Sequence, residues 1–115
     1  MTRTNQEIFD TCLAHLRAQG RRSVHPDLGI CAYRGADNLK CAIGILIPDD
    51  KYHPGLENNC PDHSAVQEAA GITVDQVKLA ERIQGSMHDT LTDDLSDLED
   101  AAQRVAHDFN LCYTT

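Results

Sequence analysis

Cys41, His88 and Asp89 are the residues whose chemistry could make or break a covalent bond. A cysteine attacks as its thiolate, and Cys41 follows Lys40 at the head of an apolar segment. A helix starting there would aim backbone amides at the sulfur and favour the anion. His88 falls near the same helical face as Val77, so it can point inward as a general base. Neighbouring helical residues diverge by about 100°, so Asp89 can orient the His88 imidazole only if the helix ends between them. On this reading the chain is a thiol-dependent hydrolase or transferase, with Cys41 as nucleophile and His88 as base. The plainer reading makes Cys41 a small buried hydrophobe and His88 a histidine settled by the dipole at a helix C-terminus.

Two other sets of residues could hold a ligand. Cys60 and His63 are separated by two residues, a spacing that zinc sites use, and Cys31 and Cys41 could complete the set. A zinc module normally carries two tight pairs, and only one is present, so no metal and no cofactor is expected. Tyr33 and Arg34 could clamp a small anionic signal molecule, although Gly35 after them is what any turn following a strand requires. His15, His25, His53 and His107 have no partner at an informative spacing and read as surface residues.

Charge offers a third chemistry. The net charge is −8, and it is lopsided: residues 1–51 hold seven Lys/Arg against six Asp/Glu, whereas residues 52–115 hold three against twelve. From Asp89 to Asp108 there are seven carboxylates and only Arg104 to offset them. Such a surface repels phosphate backbones, so direct nucleic-acid binding is not expected. It suits a protein with a basic surface, with Asp93, Asp94, Asp97, Glu99 and Asp100 as contact residues. The plainer reading is the solvated outer face of an ordinary helix.

The elements that must position these residues are largely helical. Thr4-Asn5-Gln6-Glu7 is a capping box, followed by Ile8, Phe9, Cys12, Leu13 and Leu16 on one face and by Gly20 as a terminator, which predicts a helix over 5–19. Ile30 to Arg34 and Leu39 to Cys41 flank the turn formers Gly35-Ala36-Asp37-Asn38, a pattern suited to a short β-hairpin. The run Cys41 to Ile47 is apolar on all sides and stops at Pro48; it reads as a short helix in which Gly44 permits close approach of another backbone. Capping boxes at Ser64–Gln67 and Thr73–Gln76 start two further helices, the first ended by Gly71 and the second running to about 88 with Val74, Val77, Ala80 and Ile83 inward. A last helix over about 93–109 carries Leu95, Leu98, Ala102, Val105 and Phe109 as a stripe, with its acidic residues at the positive end of the dipole.

Composition agrees with this. At 115 residues the chain fits one domain, spanning 1–115. Hydrophobic residues make up 41% but aromatics only 4%, so the core is built from Leu, Ile, Val and Ala, which favours packed helices. The expected fold class is α+β and mainly α: about four helices with one short β-hairpin. Five cysteines are an odd number in a chain whose first residues carry no apolar signal, and no run approaches the roughly 20 apolar residues of a membrane span. The expected compartment is the cytoplasm.

The central segment carries a resemblance. Cys31-Ala32-Tyr33-Arg34-Gly35, Leu39-Lys40-Cys41-Ala42-Ile43-Gly44 and Leu46-Ile47-Pro48-Asp49-Asp50, with Tyr52 and Glu57, resemble a family of small bacteriophage and prophage proteins. The likeness extends to Ile83-Gln84, His88-Asp89 and the stretch from Val105 to Leu111, and so covers about residues 8–111; Gly85-Ser86-Met87 departs from it where a regular apolar helix is expected. The resemblance carries no activity with it. What it implies is a phage or mobile-element origin, where small acidic proteins often inhibit host defence complexes, anti-CRISPR proteins among them. The leading expectation is therefore an inhibitor that binds a basic host protein, acting in the host cytoplasm without a membrane or direct nucleic-acid contact.

Overall fold

The computed structural model describes residues 3–20, 23, 32–35, 39–58, 62–89 and 95–113. Among these, four α-helices account for most of the regular structure: α1 (Asn5–Gln19), α2 (Ser64–Ala70), α3 (Val77–Ile83) and α4 (Leu95–Asp108). α1 starts as its sequence dictates. The Thr4 hydroxyl accepts from the Glu7 amide at 3.1 Å, and the Glu7 carboxylate accepts from the Thr4 amide at 3.0 Å. It ends at Gly20, whose φ of 72° is open to glycine at no steric cost and whose N–H reaches the Leu16 carbonyl. Its buried face, Ile8, Phe9, Cys12, Leu13 and Leu16, packs on the 44–46 turn, α3 and α4.

Three expectations change at the level of local structure. The short helix expected over Cys41–Ile47 is narrowed to one 3-10 turn, Gly44–Leu46, because Pro48 ends the segment too early for α bonding to propagate. α2 is capped one residue earlier than its Ser64–Gln67 signal suggests: His63 Nδ1 accepts from the Ala65 amide at 3.1 Å, while the Gln67 side chain donates to the Asp62 carbonyl. The expected 74–88 helix is three pieces, namely a 3-10 turn (Val74–Gln76), α3 and a π-helical turn (Gln84–His88). The opening 3-10 turn rotates Val74 off the inward face and leaves it 73% exposed, whereas Val77, Ala80 and Ile83 are buried as expected.

Of the expected hairpin, the described residues contain one antiparallel bridge, Arg34 to Lys40, closed by the Gly35 amide donating to the Leu39 carbonyl at 2.8 Å. Its remaining residues, 30, 31 and 36–38, lie outside the described ones. Gly44 fits beneath this bridge. A Cβ at position 44 would lie 2.1 Å from the Tyr33 carbonyl oxygen, so only glycine lets the two backbones meet. No helix among the described residues is long and apolar enough to cross a membrane.

Candidate functional site

The π-helical turn decides what happens at His88. Adding a residue to the helical turn brings both Met87 and His88 inward, each fully buried, and leaves Gly85 exposed. The departure Gly85-Ser86-Met87 noted in the sequence falls within this turn. Helical structure stops at His88, with Asp89 as the cap, which is the condition under which Asp89 can reach its neighbour. Its Oδ1 stands 2.8 Å from His88 Nδ1.

The other ring nitrogen is also engaged. His88 Nε2 accepts the backbone N–H of Ser23 at 2.9 Å. A nitrogen that accepts carries no proton, so the neutral ring bears its proton on Nδ1, which is flanked by Asp89 Oδ1 at 2.8 Å and by the Gln84 side-chain nitrogen at 2.9 Å; of the two, only the carboxylate can accept it. The Gln84 amide donates to the same Asp89 oxygen at 3.1 Å, and its own oxygen accepts from Ile43 N–H at 3.4 Å. Ser23 is fully buried and acts as a hub: its hydroxyl lies 2.8 Å from the Ala32 carbonyl and 3.2 Å from that of Leu39, and its carbonyl accepts from Ala32 N–H. His88 therefore ties the end of the α3 segment to the chain that follows α1.

Cys41 is fully buried, and its sulfur accepts the Gly44 amide at 3.3 Å. Cys12 is buried as well; its thiol donates to the Ala42 carbonyl, and burial pushes its pKa up to about 12. A nucleophile needs a path for substrate and a base with a free lone pair. Here the sulfur is sealed and the Nε2 lone pair of His88 is occupied by a backbone amide. The arrangement orients an imidazole as a catalytic carboxylate would, but spends it on a structural bond.

Arg34 and Tyr33 are engaged internally, although the buried Arg34 Nε–H meets no hydrogen-bond partner among the described residues. The Arg34 guanidinium donates to the Asp49 carboxylate at 2.6 Å and the Ile47 carbonyl at 2.7 Å, and it stacks 4.8 Å from the centre of the Tyr52 ring. Tyr33 is buried and its amide, like that of Arg34, donates to the Glu57 carboxylate, at 2.8 and 2.9 Å. The Tyr52 hydroxyl donates to Glu57 too, which holds its own pKa up at about 12 through burial first and the carboxylate second. Arg34 beside Asp49 keeps that carboxyl below its ordinary range.

The acidic residues divide. Glu99 forks with Arg17 of α1, with Arg17 Nε to Glu99 Oε2 at 2.8 Å, and also receives the Tyr113 hydroxyl. Asp108 pairs with Arg82 of α3 at 2.7 Å. Asp97 and Asp100 are exposed and, with Arg104, line a shallow cleft against Gly85 and Ser86. Asp93 and Asp94 lie outside the described residues. The negative face is thus narrower than the sequence count suggests, because cations from α1 and α3 meet two of its carboxylates.

Of the expected metal set, Cys31 and Cys60 lie outside the described residues, and among the described ones no three His, Cys, Asp or Glu converge on a common point. His63 is spent on capping α2. His15 is half-buried rather than fully on the surface: its Nε2 meets the Lys40 carbonyl at 2.8 Å, and burial lowers its pKa. Sequence reasoning also passed over Ser23, Gln84, Asp49 and Glu57 as partners. Each acts on a residue distant in the chain, which no local pattern reports. In comparisons with protein-family models, curated proteins and solved structures, the chain matches none of them.

Proposed function

We propose that this chain is a phage or prophage accessory protein that binds and inhibits a host protein with a basic surface, of the nucleic-acid-handling defence class. The observation that carries the reading is the placing of Asp97 and Asp100. They lie one turn apart on α4, exposed, beside the bare backbone of Gly85. An arginine or lysine from a partner can approach them over Gly85, in a cleft that Arg104 also lines. Exposed carboxylates of this kind contribute more to partner choice and encounter rate than to affinity. The sealing of Cys41 and the commitment of His88 and Arg34 to internal bonds favour binding over thiol chemistry or anion capture. The phage origin and the class of partner rest on the sequence resemblance.

The experiment is capture of partners from the bacterial host by the full chain at low and high salt. Asp97→Lys/Asp100→Lys serves as the surface variant and Cys41→Ser as the thiol variant. A basic host protein retained at low salt by the native chain and by Cys41→Ser, but lost with the double reversal, supports the proposal. Retention by the double reversal removes it.

A further inference from the structure

We infer that the contact between His88 and Ser23 is an acid-labile latch, which holds Ser23 in place only while the His88 imidazole is neutral. This goes beyond the binding reading and does not depend on it. Nε2 accepts the Ser23 N–H at 2.9 Å, and both residues are fully buried. A proton on Nε2 would set two donors against each other at that distance. Neither residue has surface open to solvent, and a buried N–H without an acceptor is strongly disfavoured.

Among the described residues, charges of both signs surround the ring. Asp89 at Nδ1 favours the imidazolium, but it already receives Nδ1–H from the neutral ring, and its side chain is 46% exposed, so solvent screens it. From α1, the His15 ring is close enough for the two imidazoles to disfavour each other's protonation, and Lys40 beside His15 adds positive charge. Arg82 of α3 is turned to Ser86 and Asp108. Across the cleft, Asp97, Asp100 and Arg104 of α4 face Gly85 and Ser86 on the outer side of the π turn. The Nε2 lone pair is what the Ser23 amide needs, so an imidazolium would cost the fold that bond and place a charge on a fully buried ring. The folded chain resists a proton that an unfolded histidine accepts near pH ~6.5, so stability is full above that pH and falls as pH drops through it.

Release would free more than one bond. Ser23 also holds Ala32 and Leu39, which adjoin the Arg34–Lys40 bridge and the Tyr33 backbone against which Gly44 packs. The latch thus makes the contacts of Ser23 the part of the fold that acid loosens first.

The test is urea unfolding of the full chain between pH 8 and 5.5, native against His88→Gln, whose amide oxygen can accept the Ser23 N–H without titrating. Below about pH 6.5 the unfolding constant of the native chain should climb more steeply, by up to about tenfold per pH unit relative to the variant. Equal slopes would overturn the proposal. Nitrogen NMR of the native ring provides a second measurement should the variant not fold. A neutral Nδ1–H ring that persists until the Ser23 amide signal is lost supports the latch; a ring that takes its proton while that amide signal stays in place refutes it.

Discussion

The backbone of Gly44 lies against that of Tyr33 so closely that a methyl group at 44 would fall 2.1 Å from the Tyr33 carbonyl oxygen. That atom belongs to the main chain and is fixed on either side by the Glu57 bonds to Tyr33 and Arg34. It cannot give way as a side-chain tip would. Gly44→Ala should therefore destabilise the fold by about 3 kcal/mol, at the upper end of overpacking costs, measured by urea unfolding followed by circular dichroism. Gly85→Ala, where an added methyl meets nothing, is the control and should change little.

Glu57 is the second point on which the central segment rests. Its carboxylate receives two consecutive amides and the Tyr52 hydroxyl. Hydrogen bonds to a charged acceptor contribute about 1.5–3 kcal/mol each, and removing the acceptor leaves partly buried donors unpaired. Glu57→Ala should cost about 3 kcal/mol in the same assay, and Glu57→Gln less, since one amide oxygen remains.

How far the sequence could be read follows from what each signal measures. The Thr4–Glu7 box, Gly20 and Gly71 are local chemistry, and the helices they bound begin or end there. The need for glycine at 44 was legible because an all-apolar run gives few other reasons for one. Of the stripe on the last helix, periodicity places Leu98, Ala102 and Val105 inward correctly, because it reports which face is buried, but Leu95 at the first position of α4 is 38% exposed. It does not report the partner. His88 finds Ser23 65 positions away, and Arg17 finds Glu99 82 positions away. Charge counting therefore misses the cations that meet Glu99 and Asp108, and no spacing reports that His15 is half-buried. The π turn was hidden for a different reason: a helical wheel assumes a constant pitch, and Gln84–His88 departs from it.

Thiol accessibility separates binding from catalysis. Cys12 and Cys41 are fully buried, while Cys112 is exposed. Iodoacetamide on the native chain, read by peptide mass spectrometry, should modify Cys112 at least about tenfold faster than Cys12 or Cys41. Labelling of Cys41 ahead of Cys112 would indicate an open, activated thiol and revive the enzyme reading.

Acid should act on the ion pairs in a lower pH window than on the latch. Arg17 bonded to Glu99 holds that carboxyl below its ordinary value of 4.5, and Arg82 bonded to Asp108 holds that one below 3.8. A depressed carboxyl contributes stability that is complete above its unfolded value and lost as pH falls through the folded one. Unfolding followed from pH 5 to 3 should therefore show falling stability, and Arg17→Met should flatten the curve there while lowering stability at pH 7. An unchanged slope in Arg17→Met would mean that the Arg17–Glu99 pair contributes nothing.

The most direct test of the binding account is charge reversal at α4. Asp97→Lys/Asp100→Lys, shown by circular dichroism to keep the native fold, should lose at least about tenfold in affinity for the basic host protein that the native chain retains at low salt. Cys41→Ser should bind like the native chain. If the reversal binds as tightly as the native protein, the exposed carboxylates of α4 are not the contact surface and the account fails.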